Sequence, residues 1–321
     1  MERGVTTGER VEADPLIVSA GRSQRAMTER ILEVADGAGY RAALIDATDA
    51  AVTGWPRFAW TVRAAAHGLG RRGLAEGDTV AVFVQDAASA AIAVNAIRAA
   101  GAAACLIGPD ASPADIAARL NACGARLLIT SAPLAELAAE GADRSRVRQV
   151  IAFGEATGTT PFSSLLESAR HGQPDEYGAV DEPGPVDEPG PVDEPGPVDE
   201  PGPVDECVRV DDGLAMEHRL AEEHDSLGPW PGCARELTHR DVVVAAPPCG
   251  DGQAYISLLD LTLLTGATLV AAPLSLVTAA MRIYKGMAAI VPRGTYVPGV
   301  SPDRLFPVAL SPIAAPVPPC F

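Results

Sequence analysis

Apolar residues recur at helical spacing in Phe58, Val62, Ala65, Ala66 and Leu69, and Gly73 follows where a glycine closes a helix. The turn Glu76-Gly77-Asp78 then leads into 79–84, a short apolar run of buried-strand type. An alanine-rich helix is predicted from about 88 to 100, closed by Gly101, and a strand over 102–107, broken by Gly108-Pro109. Ser112-Pro113-Ala114-Asp115 has the chemistry of a helix start, with a hydroxyl cap, proline at the first helical position and an acid in the first turn. That helix runs to Cys123 and ends at Gly124; a strand over 126–130, a helix over 133–140 and a strand over 147–153 follow. Strands alternating with helices predict an α/β fold of parallel β-α-β layers.

The pattern then stops. Val-Asp-Glu-Pro-Gly-Pro occurs four times without change over 180–203, and a partial copy, Val204-Asp205-Glu206, follows. Two prolines per unit leave no regular backbone ladder, and two acids repel one another, so an extended spacer is expected. Periodicity returns more weakly, with a helix over 214–223, a strand over 241–246, a helix over 255–264, and strands over 267–271 and 287–291. From 254 to 281 the only charge is Asp260, but Gly266 and Pro273 interrupt the run, so a buried helix followed by a strand is expected rather than a membrane span. Eight prolines between Pro292 and Pro319 leave neither period. The division is therefore an N-terminal extension (1–39), an α/β subdomain (40–170), the acidic Pro-Gly repeat (171–206), a second α/β remnant (207–295) and a Pro-rich tail (296–321).

Charge and cysteine usage narrow the classes. The net charge is −17, but the twelve acids of 175–206 account for most of it and the rest of the chain carries only −5. Neither value suits a nucleic-acid or anionic-membrane binder. The six cysteines contain no CxxC spacing, so idle thiols in a reducing compartment are expected, with neither a zinc site nor a disulfide framework. No apolar signal segment opens the sequence, which is consistent with a cytoplasmic protein.

Particular words of the sequence resemble the N-terminal part of the adenylate-forming acyl-CoA synthetases, the AMP-dependent ligases that include 4-coumarate–CoA ligase and luciferase. They are Ala43-Leu44-Ile45-Asp46, the run 62–74, Glu76-Gly77-Asp78-Thr79-Val80-Ala81-Val82, Ile97-Arg98-Ala99-Ala100-Gly101-Ala102 and the run 124–130. After the repeat, Leu237-Thr238-His239-Arg240-Asp241 is similar to the family's LTHRN, and Gly266-Ala267-Thr268-Leu269-Val270 to its GAT strand. The resemblance implies ATP-dependent adenylation of a carboxylic acid, with magnesium, followed by thioester formation. It also implies a Ser/Thr/Gly-rich phosphate loop ending in lysine just before LTHRN. Such a loop works because glycines let backbone amides approach phosphate, hydroxyls donate and the lysine adds charge.

Here that stretch is Ser226-Leu227-Gly228-Pro229-Trp230-Pro231-Gly232-Cys233-Ala234-Arg235. Two prolines remove amides, and Cys233 stands where the lysine falls. Ser226, Gly228, Gly232, Arg235 and Thr238 are the candidate ATP-phosphate contacts, and no catalytic residue or metal ligand is assigned. The family's aromatic-His element after the next strand is replaced by Pro247-Pro248-Cys249-Gly250-Asp251-Gly252, and its adenine motif and C-terminal domain are not found before Phe321. The expectation is a ligase-like chain that does not adenylate alone, binds ATP and magnesium poorly and does not bind CoA. The alternatives are a non-catalytic partner of a full-length synthetase or acyl carrier protein, and a decayed gene product. His218 and Glu222, four apart on a possible helix, are two conceivable metal ligands, with His224 off that face, but a solvated charged face suits them better; His239 is either functional or a helix-start residue, and the structural role is favoured.

Overall fold

The pleat of the strands explains the architecture. In a computed structural model that describes residues 15–167, 237–248 and 252–308, with the backbone alone at 15–23 and 303, eleven strands form two sheets among the described residues. One sheet has the order β4 (Ala103–Leu106), β3 (Thr79–Phe83), β5 (Leu127–Ser131), β6 (Gln149–Phe153), β7 (Thr160–Pro161), and every neighbouring pair in it is parallel. The other has the order β11 (Leu305–Val308), β10 (Ala288–Pro292), β8 (Val242–Ala245), β9 (Thr268–Ala271), β1 (Ala42–Asp46), β2 (Val52–Gly54), parallel except for the β1–β2 pair.

Side chains alternate between the faces of a strand, and here both faces are apolar. Val80, Val82, Leu127 and Ile129 of the first sheet and Val243, Ala245, Leu269 and Ile290 of the second all enter one buried cluster. That cluster also takes the helices α1 (Pro15–Gly37), α2 (Trp55–Arg71), α3 (Ala87–Ala99) and α7 (Gly252–Leu264), which therefore form a layer between the sheets. Ala81, Phe83 and Leu128 face the other way, under α4 (Pro113–Cys123) and α5 (Ala135–Asp143). Val244, Val270 and Ala289 face outward from the second sheet, under α8 (Val277–Ile283). Five layers, helix-sheet-helix-sheet-helix, bury both faces of each parallel sheet, as such sheets require.

The predicted elements of 55–153 are present to within a few residues. Ser112 and Asp115 make the reciprocal capping box and Gly124 takes a left-handed φ of 66°, so both ends of α4 are set by the residues that predicted them. A short helix, α6 (Ser163–Leu166), packs Leu165 against α2, beside a stacked pair, Phe153 and Phe162, whose rings are 4.1 Å apart.

Three expectations are corrected. The 1–39 segment is not merely an extension, because Ile31, Leu32 and Ala35 of α1 enter the central core and the buried Thr28 hydroxyl donates to Asn95 of α3 at 2.9 Å. The 40–170 and 207–295 segments are not separate subdomains, because β1 completes the sheet of β8–β11. All described residues fall in one contact unit. The Pro-rich tail does not begin at 296, because Leu305–Val308 pairs with β10 and buries Phe306 and Val308. Pro307 is tolerated there because β11 is an edge strand and Pro307 points to solvent. The repeat and the helix expected over 214–223 lie outside the described residues.

Candidate functional site

Each sheet has a point where its connections change sides. From β3 the chain passes through the inner helix α3 to β4 on one flank, then through the outer helix α4 to β5 on the other. From β8 it passes through the inner helix α7 to β9, then through the outer helix α8 to β10. The two units have the same topology. In open α/β sheets the crevice at the carboxyl end of such a strand is where ligands bind.

The two crevices adjoin. A Cβ on Gly252 would stand 3.0 Å from the Leu106 Cβ and 3.3 Å from the Leu106 carbonyl, so the start of α7 lies against the end of β4. Only glycine fits that approach without a shift. The Tyr255 hydroxyl donates to the Ala246 carbonyl at 2.6 Å, which fixes the end of β8 to α7. Asp86 caps α3 by accepting from the Ser89 amide at 2.6 Å. Burial pushes the Asp86 carboxyl above its ordinary value, the Ser89 hydrogen bonds oppose this, and the charge of Asp46 at the end of β1 adds to the rise. Asp46 itself accepts from the Thr48 amide at 2.7 Å.

A test of this arrangement separates cap from charge. Asp86→Ala is expected to cost about 1 kcal/mol as a lost cap. Asp86→Asn keeps a good cap and loses the repulsion, so at pH 7 it should equal or exceed the wild type. The raised folded-state value means that the folded chain holds the proton more tightly than the unfolded one, whose reference value is 3.8. The wild type therefore gains on the Asn variant as pH falls through the folded value toward the unfolded one. Urea unfolding at neutral and acid pH measures both effects.

Of the five candidate phosphate contacts, Thr238 is described; Ser226, Gly228, Gly232 and Arg235 lie outside the described residues, as do His218, Glu222, His224, Cys249, Gly250 and Asp251. Thr238 sits at the amino end of β8, on the edge opposite the two crevices. Its amide and its hydroxyl each donate to Asp241 Oδ2 at 2.7 Å, and the Asp241 amide donates back to the Thr238 carbonyl at 2.9 Å. Arg41 closes this turn, with Nη1 donating to the His239 carbonyl at 2.6 Å and to the Gly266 carbonyl at 3.2 Å. The 237–241 segment is thus the turn that starts a strand. His239 is exposed in it and does not start a helix. Arg41 was not singled out from the sequence, where it stands alone between Tyr40 and Ala42.

Among the described residues no group of three or more His, Cys, Asp or Glu side chains is placed to hold a metal ion. Asp46 and Asp86 add no positive charge for a polyphosphate, and the loop over 226–235 lies outside the described residues. Among the described residues no helix is long and apolar enough to cross a membrane.

Two sheets, parallel but for the β1–β2 pair, with paired switch points define an α/β architecture. The family model of AMP-binding enzymes matches residues 33–200, just over half of the chain, and the chain belongs to that family. The fold is similar to that of a long-chain-fatty-acid–CoA ligase from Archaeoglobus fulgidus, with a TM-score of 0.57 and 17 % identity over 83 % of this chain and 51 % of that one. A benzoate–CoA ligase from Burkholderia xenovorans gives 0.56 and 17 % over 82 % and 49 %. An amide bond synthetase from Marinactinospora thermotolerans gives 0.54 and 16 % over 84 % and 48 %. The chain spans about half the length of these structures. No curated protein matches the sequence significantly.

Proposed function

We propose that the chain is a ligase-type AMP-binding fold that does not adenylate a carboxylic acid by itself. The reading rests on Thr238. The one described residue of the candidate phosphate set gives both its donors to Asp241, at the edge of the sheet away from the switch points. The altered sequence around it, with Pro229, Trp230 and Pro231 in the loop and Cys233 in place of the family's lysine, supports the same reading. In the family ATP with magnesium supplies the leaving pyrophosphate; here Ser226, Gly228, Gly232 and Arg235 are the residues left to hold it.

The test is a thermal unfolding scan with and without millimolar Mg-ATP, beside a pyrophosphate–ATP exchange assay on aliphatic and aromatic acids. The expected result is one cooperative transition that ATP does not move, and no exchange. A ligand at about 100 times its Kd adds about 2.7 kcal/mol to the folded state. An upward shift, or exchange with any acid, overturns the reading.

A second reading is a docking role on a full-length synthetase or an acyl carrier protein. Ile283 at the end of α8 and Tyr296 are exposed to 71 % and 83 %, and Leu274 and Leu276 before α8 are also exposed. Co-purification with such a partner that is lost on Ile283→Glu favours it.

A further inference from the structure

The pleat that sends Leu106 of β4 into the central core turns Cys105 to the opposite face, the one covered by α4. In register Cys105 stands beside Ala81 of β3, which belongs to that outer cluster. Helix α4 follows β4 directly and returns over this face, with Ile116 and Leu120 in the cluster and Cys123, in its last turn, packed against it. A helix that returns along its own strand brings its end to the strand's beginning. The two side chains interact there, and the Cys123 thiol also donates to the Leu120 carbonyl at 3.7 Å. Both side chains are half-buried, so neither is sealed from solvent.

We propose that Cys105 and Cys123 form a reversible dithiol–disulfide couple that exchanges with low-molecular-weight disulfides. The thiolate of Cys123 attacks one sulfur of the small disulfide, whose S–S bond breaks and releases one thiolate. The Cys105 thiol gives its proton to solvent and attacks the Cys123 sulfur of the mixed disulfide, which expels the second thiolate. Two cysteines are oxidised to one disulfide and one small disulfide is reduced to two thiols.

The environment divides the roles in this way. The hydrogen bond from Cys105 is the main cause that lowers Cys123 to about 7, with the Arg119 charge one turn earlier in α4 also favouring the thiolate. The same contact, with burial, pushes Cys105 upward, so it keeps its proton until the mixed disulfide forms. A thiol near neutral is the best placed to attack in thiol–disulfide exchange. For this pair the proposal departs from the sequence expectation of idle thiols. The couple would tie the end of α4 to the edge strand whose Leu106 supports Gly252, and so reaches the crevice of β8.

The experiment uses the full chain, treated with glutathione disulfide, blocked at its remaining thiols and cut with trypsin. Cleavage after Arg98, Arg119 and Arg126 puts Cys105 on fragment 99–119 and Cys123 on 120–126. The expected product is these two fragments joined, separating on reduction. With Cys105→Ser the 120–126 fragment should instead retain a glutathione adduct. In the reduced wild type, brief alkylation at pH 7 should label Cys123 about tenfold faster than Cys105. Separate adducts on the two wild-type fragments, joining to other cysteine fragments, or equal labelling would overturn the proposal.

Discussion

Replacing Asp260 with leucine should destabilise the chain by about 3–5 kcal/mol, because it strands a buried guanidinium. Arg98 on α3 donates to Asp260 on α7 at 2.7 Å, with side chains exposed to only 3 % and 7 %. These helices form the layer between the sheets, where water cannot replace a lost partner. The Arg98 Nε already has no hydrogen-bond partner, so the charge depends on this single carboxylate. Burial pushes the Asp260 carboxyl up, and Arg98 pulls it back through its charge and its hydrogen bond. The pair is therefore costly to break but is not a strong net source of stability. Replacing both members, as Arg98→Met with Asp260→Leu, should return stability close to that of the wild type. Urea unfolding of the two singles and the double measures the coupling. Singles that unfold like the wild type would show that water reaches the pair.

The second large effect comes from two glycines on one helix. A Cβ on Gly68 of α2 would stand 2.3 Å from the Leu165 carbonyl oxygen and 2.8 Å from the Leu165 Cα, both backbone atoms of α6. Nothing flexible can yield there. Gly68→Ala must push α6 off α2 and should cost about 1–3 kcal/mol or more. Gly70, two residues on, has nothing within 4 Å of its added Cβ. Gly70→Ala should gain about 0.5–1 kcal/mol from the lower conformational freedom of the unfolded chain. Opposite shifts in thermal midpoint are the expected outcome; shifts of the same sign would mean that the α2–α6 contact is loose.

Local chemistry was legible where sequence neighbours determine structure. The Ser112–Asp115 box, Gly124, and the strands around Val80 and Leu128 follow from short-range pattern, and the structure has them. The apolar run around Asp260 was legible as a buried helix, but the carboxylate's partner, Arg98, lies 162 positions away and no local signal names it. The same distance hid the pairing of β1 with β9 and made one interleaved unit look like two. The short edge strand β11 was lost among prolines. At the site, Leu237-Thr238-His239-Arg240-Asp241 was matched to the family's LTHRN and Thr238 offered as a phosphate contact, yet a threonine three residues before an aspartate is also the pattern of a side-chain-closed turn, and the structure uses it so. The Cys105–Cys123 pair escaped because their spacing of 18 fits no metal or redox motif; only the return of α4 over β4 brings them together.

The interleaving of the second sheet has a consequence for the order of events during synthesis. The sheet of β3–β7 is complete once the ribosome has passed Pro161, and all its strands come from the one stretch 79–161. Strand β1 is made earlier still, but its parallel partner β9 comes much later; the Thr268 hydroxyl reaches back 226 positions to the Ala42 carbonyl. Until then β1 is paired only with β2 and its other edge is open, the condition under which nascent chains mispair. One sheet can thus form as the chain emerges, while the other is a late closure that draws the first-made strand and the last-made strands together.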